Sequence, residues 1–172
     1  MATLDPELRV RRHAVVMEHM TAENAYEFER CIGAFAHPRY EIVPTGEVWD
    51  GHDGVHVLLR ENRTAFPDFH FAPTATHHAD EAVIVEGRFT GTHGGPWRGL
   101  PATGRKIDFR LIIVFAFEGD RMVCERTFFD LGTILRQLGV ARDPNSLAGR
   151  LATMLNHPWT VSGAYLRQVL RW

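Results

Sequence analysis

The chain has 172 residues, 19 Lys and Arg against 21 Asp and Glu, and a formal net charge of −2. That length fits one domain whose core is large enough to stand without disulfide or metal staples, and the near-neutral balance, with no basic run, argues against a nucleic-acid footprint. No stretch approaches the roughly 18 apolar residues of a membrane span, and the N-terminus, MATLDPELRVRRH, lacks the apolar centre of a secretory signal, so the chain reads as soluble and cytoplasmic, with no membrane or nucleic-acid partner.

In chain order, Asp5-Pro6-Glu7 is a helix start, with Asp as N-cap and Pro in the first helical position. The spacing predicts a helix to about Met20, then a second from an N-cap at Thr21 to about Ala36, carrying Ala22, Ala25, Phe28, Ile32 and Phe35 as its stripe. His37-Pro38 ends it. YEIVPTGEVWDG reads as a short extended segment interrupted by Pro44, and His52 or Asp53 opens a third helix that Pro67 stops. From Phe69 the period changes to two. FHFAPTATHH and AVIVEGRFTGTH flank Ala79-Asp80-Glu81 as a hairpin, and Gly87 within the second strand invites a bend. GGPWRGLPATGR connects to a second hairpin, Lys106 to Phe129, turned by Gly119-Asp120 as a type II′ loop. After Gly139 the tail predicts two short helices outside the sheet. Cys31 and Cys124 fall in predicted buried elements without Cys-x-x-Cys spacing, which argues for reduced core thiols.

Counting outward from Gly119-Asp120 pairs Phe117 with Met122, Phe115 with Cys124, Ile113 with Arg126, Leu111 with Phe128 and Phe109 with Asp130 on one face. The other face carries Ile112 and Val114 against Val123, Glu125 and Phe129. Helices first and then a four-stranded antiparallel meander give an α+β fold, a curved sheet closed into a cone by the N-terminal helices.

Two readings of Asp130 stand side by side. Beside Phe109 and Phe128, desolvation would raise its pKa toward the range of a general acid/base; equally, it directly precedes LGTILRQLG and is a preferred helix N-cap. His93 would relay a proton or donate to a substrate carbonyl, or else buttress the Gly94-Gly95 turn. Arg126, on the inward face, needs an anion, either an internal acid such as Glu86 or a group on a ligand. Trp49, Phe66, Phe89, Trp97, Phe109 and Phe128 are candidate pocket walls as well as core, and His37 is a candidate at the end of the second helix. His77-His78 has no partner at metal-ligand spacing, so no metal site is expected. Neither a dinucleotide fingerprint, a phosphate loop nor a nucleophile elbow is present, so cofactor-free chemistry is expected.

FPDF at 66–69, GTHGGPWRGLPATG at 91–104, EGDRM at 118–122 and FFDLGTILRQLG at 128–139 resemble, in order and spacing, the SnoaL-like branch of the nuclear-transport-factor-2-like superfamily, the aldol polyketide cyclases and their relatives. The resemblance covers roughly residues 10 to 140 and implies a cone-shaped α+β barrel over residues 1–140, with 141–172 as a helical extension absent from the compact cyclases. In those cyclases an aspartate at the end of the last strand, before an LLxQLG-like helix, is the general acid/base, and Asp130 matches it. The implied function is a cofactor-independent cyclase or isomerase of natural-product type: Asp130 deprotonates a carbon flanked by carbonyls on a small hydrophobic, polyketide-like substrate, and His93 or Arg126 stabilises the enolate. A non-catalytic binding domain and an epoxide hydrolase or ether-forming cyclase are the alternatives. The apolar outer face, Ile112, Val114, Val123 and Phe129, predicts a homodimer.

Overall fold

The computed structural model describes residues 5–170. Helix α1 spans Pro6–Asn24 and is capped as expected, Asp5 accepting from the amide of Glu7. It does not stop at Met20. Thr21 is not a cap but a helical residue whose hydroxyl donates to the Met17 carbonyl at 2.7 Å. The break comes at Tyr26, which takes a left-handed φ of 61°, so the expected helix to Ala36 is reduced to the single turn and a half of α2, Phe28–Ile32. Strand β1 (Arg39–Ile42) and β2 (Glu47–Asp50) form a hairpin, and α3 (Gly51–Ala65) follows directly, its N-cap being Asp50 rather than His52 or Asp53. The long strands are β3 (His70–His78), β4 (Ala82–Thr92), β5 (Lys106–Glu118) and β6 (Arg121–Phe129), then α4 (Leu131–Gln137), α5 (Leu147–Asn156) and α6 (Pro158–Val169).

The six strands make one curved, unclosed sheet in the order β2-β1-β6-β5-β4-β3. Strands β3 to β6 are the expected antiparallel meander; β1 extends it by pairing parallel to β6, Tyr40 opposite Glu125 and Ile42 opposite Thr127. Helix α1 is fastened to the tips of both hairpins by Arg12, almost wholly buried, which donates to the carbonyls of Gly119 and Asp80 at 2.7 and 2.8 Å. Its other end is held by Asn24, whose amide brackets the backbone N–H and C=O of Phe71, both at 2.8 Å. These two anchors lay α1 across the sheet and leave a hollow between them.

Gly87 lies opposite Pro73, and the Phe71 ring occupies the space a side chain would need: a Cβ there would sit 2.1 Å from Phe71 Cε2.

The β5–β6 hairpin decides which residues enter that hollow. Gly119 has φ 64° and Asp120 does not share it, as a type II′ loop requires. Glu118 pairs with Arg121 and Phe117 with Met122, but the next pair is Ala116 with Cys124. Val123 is an extra residue, a β-bulge, and because side chains alternate, this one-residue slip reverses the faces of everything beyond it. Glu125, Thr127 and Phe129 therefore stand opposite Phe115, Ile113 and Leu111 and share their side of the sheet. The expected pairs Ile113–Arg126, Leu111–Phe128 and Phe109–Asp130 do not form. Arg126 and Phe128 lie on the outer face with Val114 and Ile112, where Phe128 is 39 % exposed.

Candidate active site

The hollow of the sheet encloses a cavity of about 110 Å³, counted as the space that water-molecule centres can fill. Its walls are mostly apolar, including Phe66, Phe89, Phe109, Leu111, Phe129 and Trp97, and among the polar side chains that line it are Glu23 from α1, Tyr40 from β1, and Glu125 and Thr127 from β6. Each arrives for a local reason. Glu23 follows His19 by one helical turn on the same face. Tyr40 and Glu125 are register partners on adjacent strands, and Thr127 follows Glu125 by one pleat.

Behind these groups sits His19, wholly enclosed and packed edge-on against Phe35 and Phe115. Its Nδ1 lies 3.0 Å from the Cys31 carbonyl oxygen. A carbonyl can only accept, so Nδ1 carries a proton and Nε2 faces the cavity groups. Nε2 is 3.0 Å from Glu125 Oε2, 3.2 Å from the Tyr40 hydroxyl and 3.7 Å from Glu23 Oε2. Burial alone lowers the imidazole pKa, but the hydrogen bonds with Cys31 and Glu125, with the charge of Glu125, outweigh it and hold His19 well above its ordinary value. His19 is then an imidazolium donating from Nε2 to the Glu125 carboxylate, which also accepts from Thr127 at 3.2 Å.

Glu23 differs from Glu125 in having no such hydrogen bond. Desolvation, and then repulsion from Glu125, push its pKa from 4.5 up to about 7, with His19 opposing. Tyr40 is raised well above its ordinary value by burial and by the charges of Glu125 and Glu23, so it remains a neutral phenol with a proton to donate. Near neutral pH the cavity thus offers a carboxyl at the point of changing charge, a fixed hydroxyl donor, and a carboxylate neutralised from behind. That is the equipment of proton transfer in an apolar enclosure.

One group among the described residues has the makings of a metal site: His19, Glu23 and Cys31 place donor atoms within 4.8 Å of one another. Cys31 Sγ lies nearer Nδ1, at 3.4 Å, than Nε2, at 3.9 Å. Since Nδ1 is committed to a carbonyl, an ion on Nε2 would gather Glu23 and Glu125 rather than the thiol, whose pKa burial raises.

The residues singled out in the sequence are dispersed. Phe66, Phe89, Trp97 and Phe109 do line the cavity. Asp130 does not: it is exposed at the end of β6 and caps α4, accepting from the Gly132 amide at 2.8 Å, the Thr133 hydroxyl at 2.5 Å and Arg136 at 3.1 Å. Those bonds, the Thr133 hydroxyl first, together outweigh desolvation and lower its pKa, the reverse of the elevation expected beside an aromatic wall. His93 is fully buried behind Phe66, 5.3 Å between ring centroids, with Nδ1 accepting from the Thr103 amide at 3.3 Å; burial lowers its pKa, and it buttresses the loop after β4. Arg126 finds its anion in Glu41 on the outer face, at 2.5 Å, while Glu86 binds His77. Phe128 lies outside, His37 is exposed and meets Asp50 at 3.2 Å, and Trp49 lines a separate groove. Of the residues expected to make a dimerising outer face, Phe129 points instead into the cavity. His19, Glu23, Tyr40 and Glu125 were not singled out. The available signal was His19-x-x-x-Glu23 on a helix of the apolar side, which ordinary surface helices also contain.

Fold and site together define a cone-shaped α+β protein with an internal acid–base cavity. The sequence profile of the SnoaL-like polyketide cyclases matches residues 14–138, and the chain belongs to that family. A search of curated proteins finds no sequence match. Among solved structures it is similar to the phenazine biosynthesis-related protein PhzB2 of Pseudomonas aeruginosa (18% identity, TM-score 0.69, 87% of this chain and 94% of that one). It is also similar to TsrD of Streptomyces laurentii (23%, 0.66, 80% and 99%) and to IdmH of Streptomyces antibioticus, provisionally described as a polyketide cyclase (21%, 0.62, 75% and 99%). At these identities the likeness establishes the NTF2-like fold. No helix among the described residues is long and apolar enough to cross a membrane.

Proposed function

We propose that the protein is a cofactor-independent cyclase or isomerase acting on a small, hydrophobic, carbonyl-rich substrate of polyketide type, with Glu23 as its general acid/base. The family membership supports the cyclase or isomerase kind. The observation that carries the assignment is a carboxyl lining an apolar cavity with a pKa of about 7. Glu23 takes a proton from a carbon flanked by two carbonyls. The Tyr40 O–H donates to the enolate oxygen that forms, while Nε2–H of His19 stays engaged with Glu125 and the Tyr40 oxygen, which orients that phenol. The carbanion attacks a second carbonyl of the same molecule, and Glu23 returns its proton to the new alkoxide, so the product is an isomer of the substrate. The apolar walls contribute by folding the chain into one reactive conformer. Asp130 has no part in these steps; its role is the helix cap.

The test is hydrogen–deuterium exchange at the carbon between the carbonyls of an aromatic 1,3-diketone in D2O, followed by proton NMR. Wild type should accelerate exchange, with Glu23→Gln losing about 100-fold or more and Asp130→Asn retaining it. The opposite ranking would return the base to Asp130.

A second carboxylate inside the cone favours one other reading, epoxide opening or ether formation, with protonated Glu23 as acid and Glu125 orienting the nucleophile. It predicts turnover of an aryl epoxide and no exchange on the diketone.

A further inference from the structure

Outside the cavity, a groove runs between β2, α3 and the loop after β4, lined by Glu47, Trp49, Arg60, Glu61, Trp97 and Arg98. Trp97 and Arg98 line the inner cavity too, so the two spaces share one wall. The inner cavity, about 110 Å³, is small against the roughly 300–1,000 Å³ of sites that enclose a whole ligand. The groove holds about 730 Å³ by the same measure. A multi-ring or long-chain substrate reacting inside needs room beyond the cavity for its far end.

The partition is built in an unusual way. Trp97 and Leu100 exchange both backbone hydrogen bonds, at 2.9 and 2.8 Å, across Arg98-Gly99, whose φ angles are 49° and 81°. This is a two-residue type I′ turn, in which the first central position favours Asn, Asp or Gly because L side chains crowd the backbone there. Arginine is a poor choice for the turn. Its guanidinium lies over the Trp97 ring, 5.3 Å from the centroid, and both terminal nitrogens donate to the Glu47 carboxylate. Trp49 and Arg60 also line the groove. A guanidinium held at a conformational cost over an indole ring suits one kind of guest, an oxygen anion on a flat ligand.

We infer that the groove is the distal half of the substrate site and that Arg98 is its specificity residue, receiving a carboxylate or an equally acidic enolate or phenolate oxygen at the end of the substrate remote from the reacting carbon. This rests on the acid–base reading of the inner cavity. In the free protein Glu47 occupies the guanidinium; the incoming anion replaces it, with Trp97 stacking on the ligand plane.

The test is calorimetric titration of the full chain with 1-hydroxy-2-naphthoate and with its methyl ester. Wild type should bind the acid at least about tenfold more tightly, the preference expected of a charge-assisted pair. Arg98→Asn suits the left-handed turn, so it should hold or raise the melting temperature while reducing the preference to about twofold or less. Glu47→Gln frees the guanidinium and should tighten acid binding several-fold. Glu23→Gln should leave the preference intact, which separates this site from the catalytic reading: loss of exchange activity alone does not touch it. Equal affinity for acid and ester, no binding of either at millimolar concentration, or a preference that survives Arg98→Asn overturns it. If Arg98→Asn melts early, Glu47→Gln decides, and unchanged acid affinity there overturns the inference as well.

Discussion

Gly87→Ala is the sharpest test of how the sheet closes over the cavity. The new methyl would meet Phe71 Cε2 at 2.1 Å, Cζ at 2.3 Å and the Ala72 carbonyl oxygen at 2.9 Å. The ring cannot simply swing away, because Phe71 is 7 % exposed and its backbone is held on both sides by Asn24. Overpacking of this sort costs about 1–3 kcal/mol, and the pinned backbone sets the expectation at the upper end, about 3 kcal/mol. In a domain of this size that is a fall of about 6–12 °C in melting temperature. Urea denaturation of wild type, Gly87→Ala, Phe71→Leu and the double variant gives the cycle. The smaller side chain should absorb the methyl, so the double variant should be more stable than additivity predicts by about 1 kcal/mol or more. A Gly87→Ala protein within about 0.5 kcal/mol of wild type, or additive effects, would refute the packing at this strand crossing.

Three further outcomes are expected. For Glu23 the folded pKa of about 7 lies above the ordinary 4.5, so its ionisation costs the folded state nothing below pH 4.5 and about 3 kcal/mol once pH passes 7; in urea titrations Glu23→Gln should match wild type at pH 4 and exceed it at pH 8. Asp130 shows the opposite sign: its lowered pKa contributes stability above its ordinary value of 3.8 that is lost as pH falls through the folded value, so Asp130→Asn should melt earlier at pH 7 and converge on wild type near pH 3. Deleting Val123 removes the extra residue but leaves Cys124 opposite Ala116 and Glu125 opposite Phe115, so Glu125 still faces the cavity; the shortened protein should keep both deuterium exchange on the diketone and the neutral-range ionisation of the cavity, and a folded deletion variant that loses both would contradict this register.

The sequence carried the architecture but put Arg126, Phe128 and Asp130 on the cavity side of the sheet, and a single residue accounts for most of the difference. Changes of period, from helical before Phe69 to twofold after it, mark the elements, and Gly119-Asp120 fixes the last turn. Val123, however, is an ordinary strand residue in RMVCERTFF, and nothing in its type announces that it is unpaired. Counting past it without the slip put Arg126 and Phe128 inside and Glu125 outside. The same count placed Asp130 opposite Phe109, whereas the ladder ends at Phe129 opposite Leu111 and the aspartate leaves the sheet into solvent. Tyr26 is a parallel case at smaller scale: a tyrosine with positive φ is rare, so the helix break it makes went unread. His19 and Tyr40 belong to the site only because α1 and β1, far apart in sequence from β6, are brought against it by the anchors at Arg12 and Asn24 and by the parallel β1–β6 ladder.

The central claim is that Glu23 changes charge near neutrality inside the cone. Carbon-13 NMR of protein labelled at the glutamate carboxyls, with the Glu23 resonance assigned by its loss in Glu23→Gln, reads that directly and needs no substrate. A titration midpoint near 7 is the result the account predicts. A midpoint near the ordinary 4.5 would mean that the carboxyl is solvated and ionised throughout the working range, and the assignment of the acid/base would be wrong.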